Sequence, residues 1–596
     1  MCDTIGTPPN LGCIIKAALV LFLLSGSAPG LTVLSGPSFI PAKNAPLAGL
    51  LSLTTDVGAR VSVDVDDGTS TWSRSFYVYT NQQFLPLVGF HPGRTNRILV
   101  TATDKQRNST VVTQSVIFVS PPLPVDFPRI KLLTNQPERL EPGYTLFRVA
   151  INSATKGYHV IVDGSGQVVW YSSTASQLDV RQLPNGNLFF FSPTNFVEMN
   201  LVGQTVRTWS VPKGATINPH DGLFTTHNTI LYLSDAGAVV TNYPTSTTLS
   251  NAPTRTATNV VYQRVVEISA TNSAVLNTWS MIGMLDPRRI TYMTTLGTSV
   301  CDSEHCNSVV ENPEGDSIIV SLRHQNAVIK FSRTTGQLIW ILGPHENWGP
   351  QWQPYLLTPV GSPFSWQYGQ HSATLTPSGT LLLYDNGNYR ATPFGASVPD
   401  PANYSRGVEY QIDETLMEVS QVWDYGSNQR ERLYTDRVGN AEPLPLTGNI
   451  LVTFGSVRYV NGVAPSSYGP SASMARIKEI SHDTPPEVLF DLAVTEYDNT
   501  SNAYKDCYVY RSWRIPDLYG HPALPVRDLT VSAVDGYPLL EFSADPARAY
   551  TIQASDDLSA WHDIGEATLN TEQSNYQFVD MEATGSTPRY YRAITR

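Results

Sequence analysis

Two short motifs alternate through the middle of this chain of 596 residues. The first is a turn followed by a strand, as in LPNGNLFFF, NPEGDSIIVSLR, TPSGTLLLYDN and PLTGNILVTFG. The second is a strand that ends on a large aromatic residue, and its six copies end at Trp170, Trp209, Trp279, Trp340, Trp423 and Phe490. Repeats of about 40–50 residues are typical of β-propeller blades, and these are spaced by 39, 70, 61, 83 and 67 residues. The pattern predicts a six-bladed β-propeller with long insertions over residues 126–525, in which each aromatic residue packs between neighbouring blades.

The composition agrees with short strands rather than helices. Charged residues make up 15% of the chain, whereas an average soluble domain has roughly 25%. The net charge of −12 argues against a protein held on nucleic acid by a basic surface. Hydrophobic residues at 41% exclude global disorder. We therefore expect an all-β protein that does not bind nucleic acid.

A smaller β-domain is predicted on each side of the propeller. Residues 29–125 hold alternating runs such as Arg60–Val65 and end at a proline-rich linker, which is typical of an immunoglobulin-like β-sandwich. Residues 526–596 contain five or six short β-rich runs and no cluster of reactive side chains. We expect a small C-terminal β-sandwich there, with a structural or interactive role.

The first residues have the pattern of a secretory signal peptide. Lys16 precedes a short apolar run, and the small residues Ser25–Ala28 follow it. We expect residues 1–28 to be removed, which would leave a periplasmic or secreted protein with no membrane span. An uncleaved membrane anchor is the alternative.

Three cysteines remain after the predicted cleavage: Cys301, Cys306 and Cys507. The spacing of the first two allows a short-loop disulfide. No CxxC pair occurs, so a structural zinc site is not expected.

The reactive side chains of interest are histidines, an arginine and an asparagine at corresponding places in the repeats. Since equivalent strand ends of a propeller meet at its axis, we expect a pocket formed by His220, His305, Asn307, Arg323 and His371.

Four neighbouring residues, by contrast, are expected to have structural roles. His324 and His345 are assigned to a strand end and a loop, and Asn386 and Tyr389 to a turn.

Such a pocket can support two kinds of chemistry. Neutral His220, His305 and His371 could ligate a metal ion. Alternatively, the pocket could bind a tetrahedral oxyanion, with one histidine as nucleophile. Arg323 favours the anion, because a guanidinium is repelled by a dication and forms bidentate hydrogen bonds with a sulfate or phosphate. Paired-carboxylate, GxSxG and nucleotide-binding motifs are not found.

Several segments resemble the bacterial arylsulfate sulfotransferases, which transfer a sulfuryl group between phenols without a nucleotide donor. The resemblance covers roughly residues 35–520 and is strongest in NPHDG, HCNSVV, SLRHQNAVIKF, QHSATLTPSGTLLLYDNG and GNILVTFG. It implies that His371 is the nucleophile and carries the sulfuryl group in a ping-pong reaction. It also implies that the site is completed by Arg323, His305, Asn307 and His220.

The same resemblance implies an aryl sulfate donor, a phenolic acceptor, no cofactor and no metal. A homodimer is also compatible with the sequence. The chain departs from the family pattern in Cys306, which lies inside the H-x-N motif, and in its C-terminal sandwich. Two alternatives stay open at this point: a non-enzymatic extracellular binding propeller, and a hydrolase or lyase with a histidine-bound metal.

Overall fold

The computed structural model describes residues 31–104, 109–151, 157–174, 178–212, 215–312, 316–464, 473–498, 503–519, 527–534, 536–543, 550–556, 558, 561–570, 575–583 and 589–595. The predicted signal peptide lies outside them. The described chain is almost entirely β, as predicted. Its helices are one short α-helix and four 3₁₀ turns: Met281–Met284, Pro137–Arg139, Arg323–Gln325, Gln353–Tyr355 and Asp400–Ala402. None of the helices in the described ranges has the length and apolar character needed to cross a bilayer.

The N-terminal region forms one five-stranded antiparallel sheet. Its strands are Val33–Pro41, Ala48–Asp66, Thr71–Val88, Thr95–Asp104 and Ser109–Val119. The long strand Ala48–Asp66 pairs with three of the others, and its alternate residues are buried. This alternation buries one face of the strand in the core that the N-terminal sheet shares with the sheets that follow.

Six further sheets follow, numbered 1 to 6. Sheet 1 contains Val180–Gln182, Leu188–Phe191, Asn195–Met199 and Thr205–Ser210. Sheet 2 contains Gly222–Phe224, Thr229–Tyr243, Arg255–Ser269, Val275–Ser280, Thr295–Leu296 and Cys301–Asp302. Sheet 3 contains Cys306–Asn312, Ser317–Leu322, Ala327–Ser332 and Leu338–Leu342.

Sheet 4 contains Thr358–Pro359, His371–Leu375, Leu381–Asp385, Arg406–Asp413 and Glu418–Tyr425. Sheet 5 contains Arg129–Asn135, Leu433–Thr435, Asn440–Pro443, Ile450–Val460, Met474–Ile480, Val488–Asp498 and Ala503–Lys505. Sheet 6 contains Cys507–Ile515, Tyr144–Ile151, Gly157–Val162 and Val168–Thr174.

Both ends of this region are joined by strand pairing. In sheet 6 the strand Cys507–Ile515 pairs with Tyr144–Ile151, so that Cys507 lies opposite Ile151 and Ile515 opposite Tyr144. At the edge of sheet 5, Arg129–Asn135 pairs with Val488–Asp498. The early and late strands of the region are therefore held by ladder hydrogen bonds.

The six repeated aromatic residues are buried between successive sheets, as predicted. Each lies on a late strand of its sheet, and none is more than 7% exposed. Trp340 of sheet 3, for example, packs against Leu381 and Val408 of sheet 4. The indole N–H of Trp209 donates to the carbonyl oxygen of Ala270 in the next sheet, at 2.8 Å. The aromatic residues that recur in the sequence therefore have the same packing role in each sheet.

The innermost strands of all six sheets line one cavity of about 130 Å³. Each sheet contributes lining residues to this cavity. One from each of sheets 1 to 6, in that order, is Arg181, Leu223, Val309, Ala373, Ala441 and Trp513. The six sheets therefore surround a common central space.

Arg511 connects most of these inner strands through a single buried guanidinium. It donates to the carboxylates of Asp179 and Asp221, each at 2.9 Å from Nη1. Its Nη2 donates to the carbonyl oxygen of Asn307 at 2.7 Å, and its Nε donates to the hydroxyl of Ser372 at 2.7 Å. Arg511 thus joins sheet 6 to the start of sheet 1 and to sheets 2, 3 and 4.

The next residue completes the connection to sheet 5. Ser512 donates its backbone N–H to Oδ1 of Asn440 at 3.0 Å and accepts from Nδ2 of the same side chain at 2.9 Å.

The C-terminal region contains two small sheets. Arg527–Val534, Tyr537–Ser543, Thr568–Asn570 and Asn575–Val579 form the first, and Tyr550–Ser555, His562–Glu566 and Tyr590–Thr595 form the second. They share a core that contains Leu540, Phe542, Tyr550, Ile552 and Tyr576.

We expect Arg511→Met to destabilise the protein strongly. The substitution removes one of the two guanidiniums that Asp179 and Asp221 share, Arg181 being the other. Breaking a buried ion pair by removing one partner costs about 3–5 kcal/mol. Thermal unfolding measured by calorimetry should show a clear downward shift of the main transition. Arg264→Met is the matched control, because the exposed Arg264 side chain donates only to the Tyr262 hydroxyl among the described residues. Equal shifts in the two variants would contradict the role assigned to Arg511.

Candidate active site

The predicted histidines lie together at one end of the central space. His220 precedes the inner strand of sheet 2, and His305 and His371 stand at the start of the inner strands of sheets 3 and 4. The rings of His220 and His305 are 4.8 Å apart, centroid to centroid. Tyr510 of sheet 6 lies 5.9 Å from the ring of His220 and 6.2 Å from that of His371. Its hydroxyl donates to the carbonyl oxygen of Asn307 at 3.1 Å. The structure thus brings three of the five predicted residues around one tyrosine, and His305 joins them through His220.

His371 is buried and held in one tautomer. Its Nδ1 lies 2.6 Å from Oδ1 of Asn386. The amide of Asn386 cannot be reversed without loss, because its Nδ2 donates to the carbonyl oxygen of Val438 at 3.0 Å and to the hydroxyl of Thr435 at 3.1 Å. Oδ1 must therefore accept from Nδ1–H of His371, which leaves the lone pair on Nε2.

The charge state of His371 follows from its surroundings. Burial, together with the positive charge of Arg323, lowers the pKa of His371 well below its ordinary value of 6.5. The ring is therefore neutral at neutral pH, and its Nε2 is a free nucleophile.

The tautomer of His220 is also fixed by an asparagine side chain. Its Nδ1 donates to Oδ1 of Asn218 at 2.6 Å, and Nδ2 of Asn218 donates to Asp235 at 2.7 Å. Burial and the charges of His305 and Arg323 lower the pKa of His220 well below 6.5. His220 therefore also presents a lone pair on Nε2, which makes it a hydrogen-bond acceptor in its neutral form.

His305 has an acidic partner that the sequence analysis missed. Its Nδ1 lies 2.6 Å from Oδ2 of Asp302. Burial raises the pKa of Asp302, but the hydrogen bond from His305 and the charge of His324 outweigh it and bring the pKa to about 2. The carboxylate orients the imidazole of His305 through Nδ1 and leaves its Nε2 as the atom that can exchange a proton with a ligand. The spacing D-x-x-H in the sequence could have indicated the pair.

Arg323 has a donor left for a ligand. Its Nη2 donates to the carbonyl oxygen of Asp436 at 3.0 Å, and its Nη1 lies 3.4 Å from Nε2 of His324. Its Nε is buried and has no hydrogen-bond partner in the described part of the chain. A buried donor of a guanidinium without a partner is suited to an anionic oxygen.

Asn307 faces the same space from sheet 3. Its Nδ2 donates to the carbonyl oxygen of Gln370 at 2.7 Å, which uses one of the two N–H groups of the amide. The second N–H remains available for a ligand.

The two aspartates near the site have structural partners. The carboxylate of Asp221 accepts from Arg181, Arg511 and the backbone N–H of Val309. Asp385 accepts from Arg390 and Arg406 at 3.0 Å and 2.9 Å. Neither carboxylate is free to act as an acid or base, in agreement with the lack of a paired-carboxylate motif.

Three side chains differ from or refine the expectations. His324, predicted to lie at a strand end, stacks on His305 with ring centroids 4.5 Å apart, and burial lowers its pKa to about 3. Asn386, interpreted only as a turn residue, also orients His371. His345 points to a group outside the site: its Nε2–H donates to the carbonyl oxygen of Leu357 at 2.9 Å.

The thiols of Cys301 and Cys306 are free and buried. The short-loop disulfide that their spacing allows is therefore not formed in this structure. Burial raises the pKa of the Cys306 thiol well above its ordinary value, which makes this thiol a packing group rather than a nucleophile.

One group of described residues has the geometry to hold a metal ion. Asp302, His305 and His324 place one ligand atom each within 4.8 Å of one another. Only His305 belongs to the set His220, His305 and His371 considered from the sequence. A carboxylate with two imidazoles is a donor set that suits zinc.

Comparison with known proteins gives a consistent result. A family model described as arylsulfotransferase (ASST) matches residues 101–505. The arylsulfate sulfotransferase AssT of Escherichia coli O6:H1 is 25% identical over 347 residues, which cover 46% of this chain and 54% of that protein. The AssT of Lelliottia amnigena has the same identity and coverage. The chain thus spans about half the length of the curated relatives it matches.

Among solved structures, a protein of unknown function from Bacteroides caccae is 12% identical, with a TM-score of 0.35 over 62% of this chain and 99% of that one. A TM-score of this size does not establish a shared fold. The family match, in contrast, covers most of the chain and includes every residue of the histidine cluster described above. On this ground the chain belongs to the arylsulfotransferase family.

Proposed function

We propose that this protein transfers a sulfuryl group from an aryl sulfate donor to a phenolic acceptor by a ping-pong reaction through a sulfo-histidine at His371. The observation that carries the proposal is the state of His371: a buried, neutral imidazole with its lone pair on Nε2, next to the cation of Arg323. A lone pair beside an anion-binding donor is what nucleophilic attack on a sulfate ester needs. Membership of the arylsulfotransferase family supports the same reaction.

In the first half-reaction, Nε2 of His371 attacks sulfur and the bond from sulfur to the aryl oxygen breaks. The electron pair of that bond goes to the departing phenolate. Arg323 and Asn307 hold the peripheral sulfuryl oxygens, where charge resides in a loose transition state. His305, oriented by its hydrogen bond to Asp302, donates a proton to the phenolate and becomes neutral.

The second half-reaction reverses these steps with a new phenol. His305, now neutral, takes the proton of the incoming hydroxyl while the phenolic oxygen attacks sulfur and the N–S bond to His371 breaks. His220 lies beside His305, with ring centroids 4.8 Å apart, and helps to position the ring that takes this proton. No cofactor or nucleotide enters this scheme.

We also propose the architecture that the repeat predicts: a six-bladed β-propeller over residues 126–525, with β-sandwiches at residues 29–125 and 526–596. Six sheets around a common cavity, joined by the strand Cys507–Ile515, support the propeller. The shared core of the two C-terminal sheets supports the second sandwich. The N-terminal signal pattern supports a periplasmic or secreted protein, and a homodimer stays a proposal.

A second candidate function is a metal-dependent hydrolase or lyase. The grouping of Asp302, His305 and His324 favours it. The guanidinium of Arg323, 3.4 Å from Nε2 of His324, opposes it because a cation beside the site repels a dication. Loss of activity on addition of EDTA would favour the metal-dependent hydrolase or lyase over sulfuryl transfer.

The direct test of the proposal is the release of 4-nitrophenol from 4-nitrophenyl sulfate by the purified protein. In the presence of EDTA, we expect a burst without acceptor, steady turnover only when a phenol is added, and no burst in His371→Ala. Loss of one sulfuryl-binding donor, as in Arg323→Leu, should lower turnover by about 10²–10³. His345→Ala, outside the site, is the matched control. Near-native turnover by His371→Ala, or turnover that needs only water, would refute the proposal.

Asn386 gives a sharper test of the tautomer. Asn386→Leu removes the acceptor that fixes Nδ1–H of His371, so the burst rate should fall, by roughly 10–100-fold if the effect matches that of other orienting partners of histidines. Asn386→Asp keeps an acceptor but adds a negative charge, which raises the pKa of His371.

The two Asn386 variants should differ in their pH dependence. In the unsubstituted protein His371 stays neutral as the pH falls from about 7 through 6.5, where a free histidine titrates, because its pKa lies well below that value. In Asn386→Asp the raised pKa protonates His371 at a higher pH, so the burst rate should fall earlier on acidification. Stopped-flow bursts across this range check the shift. Identical acid limbs in Asn386→Asp and the unsubstituted protein would show that Asn386 does not act on His371.

A further inference from the structure

We infer that the stacked side chains of Tyr292 and Tyr389 form the platform on which the aromatic ring of the phenolic substrate binds. This inference rests on the proposed function and adds to it a site for the part of the substrate that does not react. The two rings lie 5.2 Å apart with their planes inclined by 26°. They come from loops of different sheets: Tyr292 lies between the strands Val275–Ser280 and Thr295–Leu296 of sheet 2, and Tyr389 lies within sheet 4.

Hydrogen bonds place Tyr389 beside the sulfuryl-binding group. The preceding residue, Asn388, donates from Nδ2 to the carbonyl oxygen of Asp436 at 3.1 Å. The same oxygen accepts from Nη2 of Arg323 at 3.0 Å. Tyr389 is therefore one residue away from a side chain that shares an acceptor with Arg323.

Tyr292 reaches the same place from the other side. The hydroxyl of Thr291, the preceding residue, donates to the carbonyl oxygen of His324 at 2.6 Å. His324 follows Arg323 in the chain and stacks on His305. The residues that precede the two tyrosines are therefore bonded to the carbonyl oxygens of Asp436 and His324, which adjoin Arg323 by a hydrogen bond and by sequence.

The backbone holds the ring of Tyr389 out of the core. Tyr389 and Arg390 both adopt left-handed conformations, with φ of 62° and 43°, which non-glycine residues adopt at a cost. The chain is fixed there by Val398, whose N–H donates to the carbonyl oxygen of Tyr389 at 2.7 Å, and by the ion pair of Arg390 with Asp385 at 3.0 Å. Strained residues that are held this firmly are typical of ligand-binding positions.

The platform keeps an aromatic surface accessible. Tyr389 is 40% exposed even though one of its faces is stacked on Tyr292. The hydroxyl of Tyr292 donates to the carbonyl oxygen of Gly395, which directs its polar end away and leaves the ring as the contact surface. An aryl group stacks on such a surface by its π-face.

A third aromatic residue extends the surface. Phe394 is 43% exposed and precedes Gly395. Its N–H donates to the carbonyl oxygen of Thr247, between the strands Thr229–Tyr243 and Arg255–Ser269. Because Phe394 is joined to the platform through Gly395, whose carbonyl oxygen accepts from the Tyr292 hydroxyl, we assign the preferred acceptors to phenols with fused rings, such as naphthols.

The test uses 2-naphthol and phenol as acceptors, with 4-nitrophenyl sulfate as donor. Tyr389→Asn removes the ring and places at this position a residue that tolerates the left-handed conformation. Tyr389→Phe keeps the ring. The control is Tyr537→Asn, because Tyr537 is 39% exposed but lies on a strand of the C-terminal region.

We expect Tyr389→Asn to raise the KM for 2-naphthol by about three- to tenfold, as the loss of one aromatic contact predicts. The KM for phenol should rise less. Tyr389→Phe keeps the ring and should restore the KM for 2-naphthol, and Tyr537→Asn should behave like the unsubstituted protein. A KM for 2-naphthol that changes no more than in Tyr537→Asn would overturn the inference.

Direct binding separates this inference from the proposed function. The Kd of 2-naphthol, measured by its fluorescence on titration with protein, needs no turnover. If the unsubstituted protein gives no burst, the proposed function fails, and a weaker Kd in Tyr389→Asn than in Tyr537→Asn still supports an aryl-binding platform. Equal Kd values in these two variants would overturn it.

Discussion

The guanidinium of Arg511 lies where the inner strands of the sheets meet, and it uses all three of its nitrogen atoms there. Such a cation is costly to bury unless carboxylates and carbonyls surround it, so each sheet must bring its acceptor to a fixed place. Four residues supply these acceptors: Asp179, Asp221, Asn307 and Ser372. Because His220 and His371 are chain neighbours of Asp221 and Ser372, the hydrogen bonds to Arg511 also fix the positions of these two histidines.

The proposed chemistry needs His220 and His371 to be neutral while the cation of Arg323 lies beside them. Burial and Arg323 favour the neutral forms of His220 and His371, and an asparagine fixes each tautomer from the side opposite the site. His305 alone among the three has a carboxylate partner. One lone pair for attack and one ring able to carry a proton are thereby placed in a space of a few ångströms, an arrangement that suits transfer of an anionic group.

The periodic features of the fold were predictable from the sequence, because the turn-and-strand motif and the buried aromatic residue recur in each sheet. The five proposed site residues were found for a related reason: they occupy corresponding places in those repeats. The role of Tyr510 was missed because it arises from contacts across sheets, and that of Asn386 because it depends on strand pairing within sheet 4. The role of Asp302 was also missed, although its position three residues before His305 could have indicated it. The free state of Cys301 and Cys306 likewise depends on burial and not on their separation in the chain.

The measurement that tests the central claim most directly is mass spectrometry of the protein quenched after mixing with an aryl sulfate in the absence of acceptor. We predict that the peptide that contains His371 gains the mass of one SO₃ group, that phenol added before the quench removes it, and that His371→Ala never acquires it. A label on another residue, or turnover by a protein that never carries the label, would contradict the account.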